Sequence, residues 1–179
     1  EEANLTEPTR LMTWWNQVVQ SEDDLAGYTL QRTGAEVANV DVQISAGAAH
    51  SGFPFQAYEK HWGNLADVDR LTTLGSWGDF HELGHNHQRS WWKFNDGDTE
   101  VTCNVFSAFC LRTLASAPSP GGWGWTVDPA AVIQKATSAV QATSYLGTSS
   151  LSDRLSFWVQ LADGFGWDAY KQVLGSYEQ

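Results

Sequence analysis

Trp77-Gly78-Asp79-Phe80-His81-Glu82-Leu83-Gly84-His85-Asn86-His87-Gln88 is the stretch on which the reading of this chain turns. His81 and His85 stand four positions apart, with Glu82 directly after the first. On a helix, at about 100° per residue, the two histidines differ by only about 40° around the axis, so both rings reach one metal ion. Glu82 is offset enough to miss that ion and near enough to polarise a water held on it. A metal acting as Lewis acid beside a carboxylate general base is the chemistry of zinc hydrolases that carry HExxH. Ser76 and Asp79 give the helix a capping-box-like start, with the Ser76 hydroxyl offered to the first amides, and the helix is expected to run to about Arg89.

A catalytic zinc usually takes three protein ligands and leaves a fourth position open. In the pattern HExxHxxGxxH, position 88 would be Gly and position 91 His. Here they are Gln88 and Trp91, and that reading fails. The other source is a carboxylate from a second helix. Glu100 opens a strongly helical run through Phe109, preceded by the capping residues Asp98 and Thr99. Asn104, one turn further along the same face, can accept a hydrogen bond from the distal nitrogen of a ligand histidine and fix its tautomer. His87 points about 200° away from His85 and cannot share the ion. It reads as a solvated or hydrogen-bonded helix-end residue.

Outward from these helices the pattern is α+β and predominantly helical, with a small sheet upstream of the active-site helix. Leu11, Trp14, Trp15, Val18 and Val19 after Thr6-Glu7-Pro8-Thr9 read as an amphipathic helix with a capped start. Val40, Val42 and Ile44 alternate with Asp41, Gln43 and Ser45 as a strand over 40–46. It is either an edge strand that binds extended substrate by β-addition or an ordinary inner strand. Residues 90–98 read as a loop, and the Glu100 helix extends to about Ala115. Further helices are expected from Asp128-Pro129 to about Ala142, near 152–163 and near 167–176.

A chain of 179 residues, 42% hydrophobic, can bury one substantial core, and residues 1–179 read most simply as a single domain. No apolar run reaches the ~18 residues of a membrane span, and no basic-then-apolar leader stands at the start, so direct membrane insertion is not expected. The net charge of −11 argues against nucleic-acid partners and favours a divalent cation. Cys103 and Cys110, about 10.5 Å apart along one helix, lie beyond the ~7 Å a disulfide spans, and read as buried apolar residues. Asn4-Leu5-Thr6 fits a glycosylation sequon. A monomer is the default expectation.

Four segments together resemble the enhancin-type zinc peptidases, a family that includes accessory colonisation factors and mucin-degrading peptidases: Asp41 to Gly47, His50-Ser51-Gly52-Phe53-Pro54, Trp77 to Gln88, and Glu100 to Ser107. The resemblance covers roughly residues 25–115. It implies a gluzincin-like catalytic fold, with His81, His85 and Glu100 holding Zn²⁺ and Glu82 as the base. It further implies a mucin-type glycoprotein substrate and a secreted or cell-surface location. Two features depart from the family: Ala49 stands where a large Met commonly precedes the HSG element, and the β-rich segment leading into the catalytic region is short or absent. The chain therefore reads as a catalytic domain that is a fragment of a longer multi-domain protein.

Under that resemblance the ten Trp take on a second meaning, because an indole face can stack on a sugar ring. Trp77, Trp92 and Asp98 become candidate substrate contacts, although packing in the core is the competing account for each Trp. His50 is a candidate to stabilise the oxyanion, with Tyr145 and Tyr170 as alternatives. The expected function is a zinc-dependent endopeptidase acting on O-glycosylated proteins. The alternatives are a gluzincin peptidase indifferent to glycans and a glycoprotein-binding or scaffold module without turnover, as in animal relatives that associate with membrane channels.

Overall fold

The computed structural model describes residues 7–28, 36–41, 43–44, 47–122, 125–140 and 150–178, the side chains of Trp62 and of residues 135–140 excepted. The sequon at Asn4, and also Trp123 and Tyr145, lie outside the described residues. Helix α1 (Pro8–Ala26) starts with Pro at its first turn and no side-chain cap, since a residue with no N–H leaves no orphan donor there. Its buried stripe is Leu11, Trp14, Val18, Glu22, Leu25 and Ala26, an amphipathic pattern with one acid inside it.

Three short strands follow. β1 (Ala38–Asp41) runs parallel to β3 (Phe55–Tyr58), and β2 (Ala49–His50) pairs antiparallel with the other side of β3, giving the order β1-β3-β2. The strand expected over 40–46 begins earlier, at Ala38, beside the four-residue β3, and of its expected span residues 42, 45 and 46 lie outside the described residues. Residues 43 and 44 are not in a strand. β1 does lie at an edge, but β2 is the edge that packs against the active-site helix. Phe55, Ala57 and Leu65 form a small core under the sheet. Trp15 joins it to the main core, donating from Nε1 to the Leu65 carbonyl at 3.0 Å and meeting Phe80 edge-on.

Two short helices, α2 (Trp62–Ala66) and α3 (Val68–Leu74), lead into α4 (Trp77–His87), which carries the HExxH residues. Ser76 precedes α4 without capping its amides. Its hydroxyl donates instead to the buried Asp79 carboxylate, whose acidity burial has pushed in the protonated direction. Two 3-10 turns, Ser90–Trp92 and Asp96–Asp98, carry the chain to α5 (Thr99–Leu114). Every residue from Val101 to Leu111 is buried, so α5 is the central helix, surrounded by α1, α4 and α7 (Leu151–Phe165). Cys103 and Cys110 are both buried and free, as their spacing requires. α6 (Pro129–Val140) packs on α7, and α8 (Trp167–Ser176) closes against α1. No helix among the described residues is long and apolar enough to cross a membrane.

Candidate metal centre

The site exists because α4 and α5 come unusually close, and Gly84 is the reason. A Cβ at position 84 would lie 2.6 Å from the Cys103 carbonyl oxygen and 3.0 Å from Phe106 Cβ. With hydrogen there instead, the α5 backbone passes directly over α4, and Glu100 at the first turn of α5 arrives beside His81 and His85.

The donor atoms converge. His81 Nε2 and His85 Nε2 are 3.1 Å apart. Glu100 Oε2 is 3.2 Å from His81 Nε2, and Oε1 is 3.7 Å from His85 Nε2. A tetrahedral zinc with bonds of about 2.0–2.1 Å holds its ligand atoms about 3.3–3.4 Å apart, so three neutral-nitrogen and carboxylate donors at these separations fit that ion. The Glu100 side chain is 49% exposed, which leaves one side of the cluster open. The electrostatics agree. The His81 and His85 rings hold the Glu100 carboxyl well below the usual carboxylate range. Burial disfavours a charged His81, yet Glu100 and then Asn104 outweigh it and raise this ring. Both shifts describe one interaction, in which His81 and Glu100 favour each other's charged forms.

Cys103 completes the cluster of potential ligands. Its sulfur sits on the far flank of His81, 3.4 Å from Nδ1 against 3.9 Å from Nε2, and burial pushes the thiol well upward. It is a packing neighbour of the His81 ring, three residues on from Glu100. The sequence places it in the core; its proximity to the site depends on the helix crossing. Asn104 stands where a tautomer-fixing residue is needed, with Oδ1 at 2.9 Å from His81 Nδ1 and Nδ2 donating to the Glu100 carbonyl at 2.7 Å.

Glu82 is buried and takes no place among the metal-facing atoms. Burial raises its proton affinity, while the two histidines and, less, the nearby Ser51 backbone oppose that shift. The Ser51 contact explains what the His50-Ser51-Gly52 turn does beside the helix. Asn86 locks that turn in place, accepting from the Gly52 N–H at 2.8 Å and donating to the Gly52 carbonyl at 3.2 Å. Neither the Ser51 contact nor the Asn86 clamp has a signature in local spacing, since 34 residues separate Gly52 from Asn86. His50, at the end of β2, is half-buried with Nδ1 at 2.9 Å from the Ser51 carbonyl. Tyr170 is removed from the site, its hydroxyl donating to the Trp158 carbonyl between α7 and α8.

The expected sugar contacts are placed differently from the expectation. Trp92 is buried at 7% exposure, stacked on Phe106 and tilted against Tyr28. Asp98 is fully buried, bonded to Arg154 at 3.0 Å and to the Phe94 amide at 3.1 Å. Trp77 is 5% exposed, in the main core. All three are largely buried, Trp92 and Asp98 because these contacts pin the segment 90–98 onto α5 and α7, and Trp77 because it opens α4 in the main core. The exposed members of that segment are Ser90, Trp91, Phe94, Asn95, Asp96 and Gly97.

His87 ends α4 and is hydrogen-bonded, one of the two settings expected for it, but it is buried rather than solvated. It is fully buried, with Nδ1 donating to the Leu83 carbonyl at 3.0 Å and Nε2 2.9 Å from Asp23 Oδ1. Glu22 Oε2 lies 3.0 Å from Nδ1 as an ion-pair contact, but the N–H is directed to Leu83, which leaves that oxygen without a hydrogen bond. Burial works against protonation of His87. Asp23 and then Glu22 overcome it and lift the ring to about 9.

The chain matches the family described as Peptidase M60, enhancin and enhancin-like, over residues 2–179. It is similar to the TRPM8 channel-associated factor homolog of Xenopus laevis, 30% identical over 98% of this chain and 19% of that protein. TRPM8 channel-associated factor 2 of Bos taurus is 29% identical and that of Homo sapiens 28%, each over 97% of this chain and 19% of its own length. The chain therefore spans only 19% of the length of these relatives. No solved structure matches it.

Proposed function

The chain belongs to the enhancin-like M60 peptidases, and from that premise we propose that residues 1–179 form a zinc-dependent endopeptidase unit. The observation that carries the reading is the convergence of His81, His85 and Glu100 around one point, with Glu82 beside it and outside it. A zinc ion held there supplies Lewis acidity to a peptide carbonyl and to water. Glu82 then has the two properties a general base needs. Its proton affinity is raised by burial, and it lies beside the metal-facing histidines and Glu100 without joining their cluster. It takes a proton from the attacking water and returns it to the leaving amine. His50 is the candidate donor to the oxyanion. Its Nδ1 donates to the Ser51 carbonyl, so only a doubly protonated ring donates to the oxyanion from Nε2 as well. If so, His50→Gln lowers kcat and leaves KM unchanged; equal kcat in the variant removes His50 from this role.

The substrate is read as protein without a required glycan, since the side chains singled out for sugar stacking are buried. O-glycosylated substrate and an extracellular setting rest on the family resemblance alone. Digestion of casein and of mucin, the latter before and after O-glycan removal, separates the two. The proposal expects cleavage of casein, abolished by chelation and restored by zinc, and indifferent to glycans on mucin. Cleavage confined to glycosylated mucin would restore the narrower substrate class. The names of the vertebrate relatives favour a second reading, a binding module without turnover. Zinc uptake with no hydrolysis of either substrate would favour it.

A further inference from the structure

An imidazole that gives one nitrogen to a metal carries its proton on the other, and an acceptor there holds both ring and tautomer. Asn104 Oδ1 fills that position for His81. For His85, Nδ1 meets the carboxamide of Gln88 at 2.7 Å, from the residue that ends α4. Gln88 is held in turn. The other end of its carboxamide is 2.7 Å from Thr102 Oγ1, and that hydroxyl also reaches the Asp98 carbonyl at 3.1 Å. Asp98 is buried and tied to Arg154 of α7. A continuous chain therefore runs from His85 through Gln88 and Thr102 to the start of α5, the helix that delivers Glu100.

We propose that Gln88 is the positioning residue of His85: its carboxamide oxygen accepts the Nδ1 proton and thereby presents an unprotonated Nε2 to the ion. This rests on the zinc reading above. The two ends of a carboxamide have the same shape, so the partners decide which end is oxygen. With the nitrogen end towards the ring, as the structure places it, Nδ1 must be the acceptor and the proton stands on Nε2, facing His81 and Glu100. A half-turn of the carboxamide reverses this without displacing any other heavy atom. Nδ1–H donates to the oxygen, the amide NH₂ donates to Thr102 Oγ1, and the Thr102 proton goes to the Asp98 carbonyl already within reach. Every group keeps a partner in both arrangements. Thr102 is thus the pivot that lets one glutamine serve either tautomer, and occupancy of Nε2 by a cation selects the oxygen-inward form.

The experiment is zinc affinity of the 179-residue chain, measured by competition with a chromogenic chelator, for wild type, Gln88→Leu, Gln88→Glu and Thr102→Val. Gln88→Leu, which keeps the bulk and loses the acceptor, is expected to weaken zinc binding about 10- to 100-fold. Gln88→Glu retains the acceptor and is expected to hold zinc within a few-fold of wild type, a rescue that a purely packing role would not produce. Thr102→Val, which leaves Gln88 in place without its pivot, weakens zinc by a smaller factor and keeps the test open if Gln88→Leu does not fold. Undiminished affinity in Gln88→Leu, or in Thr102→Val where Gln88→Leu is insoluble, overturns the proposal, as does Gln88→Glu binding no better than Gln88→Leu. A wild-type chain that takes up no zinc overturns the zinc reading together with it, and the same titration shows this before any variant is compared.

Discussion

Helix α4 carries two clusters built from the same parts, imidazole and carboxylate, and they do opposite things. At His81 and His85 the partner acid Glu100 is 49% exposed and three donor atoms face one point. Two residues on, His87 has no exposed surface, and its nitrogens are met by the Leu83 carbonyl and by Asp23, with Glu22 alongside. The first cluster has its donor atoms converging on one point with a side open to solvent; the second is closed by α1 and ties that helix to the end of α4. Residue type does not decide between ligand and brace. Which helix covers the cluster does.

The comparison breaks first at Glu82. Glu82→Gln should lower kcat by about 10²- to 10⁴-fold while zinc remains bound, because only the proton transfer is lost. Undiminished turnover in the zinc-loaded variant would remove Glu82 from the mechanism. At the closed cluster the opposite profile is expected. His87→Leu strands the buried Glu22 and the partly buried Asp23 and should cost about 3–5 kcal/mol of stability by urea unfolding, with one zinc still bound per folded chain. An unchanged unfolding midpoint would show that α1 is not held there.

Between the clusters stands Gly84. A methyl group at 2.6 Å from a backbone oxygen must push α5 away, so Gly84→Ala is expected to cost about 1–3 kcal/mol and to loosen zinc binding at the same time. Loss of stability with unaltered zinc affinity would mean the helix spacing does not govern the site.

The closed cluster can also be tested by pH. His87 in the folded chain is raised to about 9 from an ordinary 6.5, so folding takes up a proton there. Its contribution to stability is complete below about 6.5 and is lost progressively as pH rises through about 9. Unfolding midpoints of wild type should fall across that window, and those of His87→Leu should fall less. Parallel curves would contradict the assignment.

What was legible in the sequence follows from the range of each contact. His81, Glu82 and His85 lie within one turn and a third of helix, and Glu100 and Asn104 share the next helix face, so periodicity alone exposes them. The same periodicity gives the helices α4 to α8 to within a few residues. His87 was legible only as a residue that faces away from the ion, because its partner Asp23 is 64 residues distant. Trp92 and Asp98 sit in a polar, aromatic stretch that looks like an exposed loop. Phe106 and Arg154, remote in sequence, draw them inward. β1 begins ahead of the alternating stretch 40–46 for a related reason, since alternation marks where a strand can run and only the partner marks where it pairs.

Zinc stoichiometry tests the metal centre most directly, measured on wild type, Glu100→Ala and His87→Leu purified from the same zinc-containing buffer. One zinc per chain is expected in wild type and in folded His87→Leu, with weakened or lost retention in Glu100→Ala. Zinc held as tightly by Glu100→Ala as by wild type, or none in wild type at all, would contradict it.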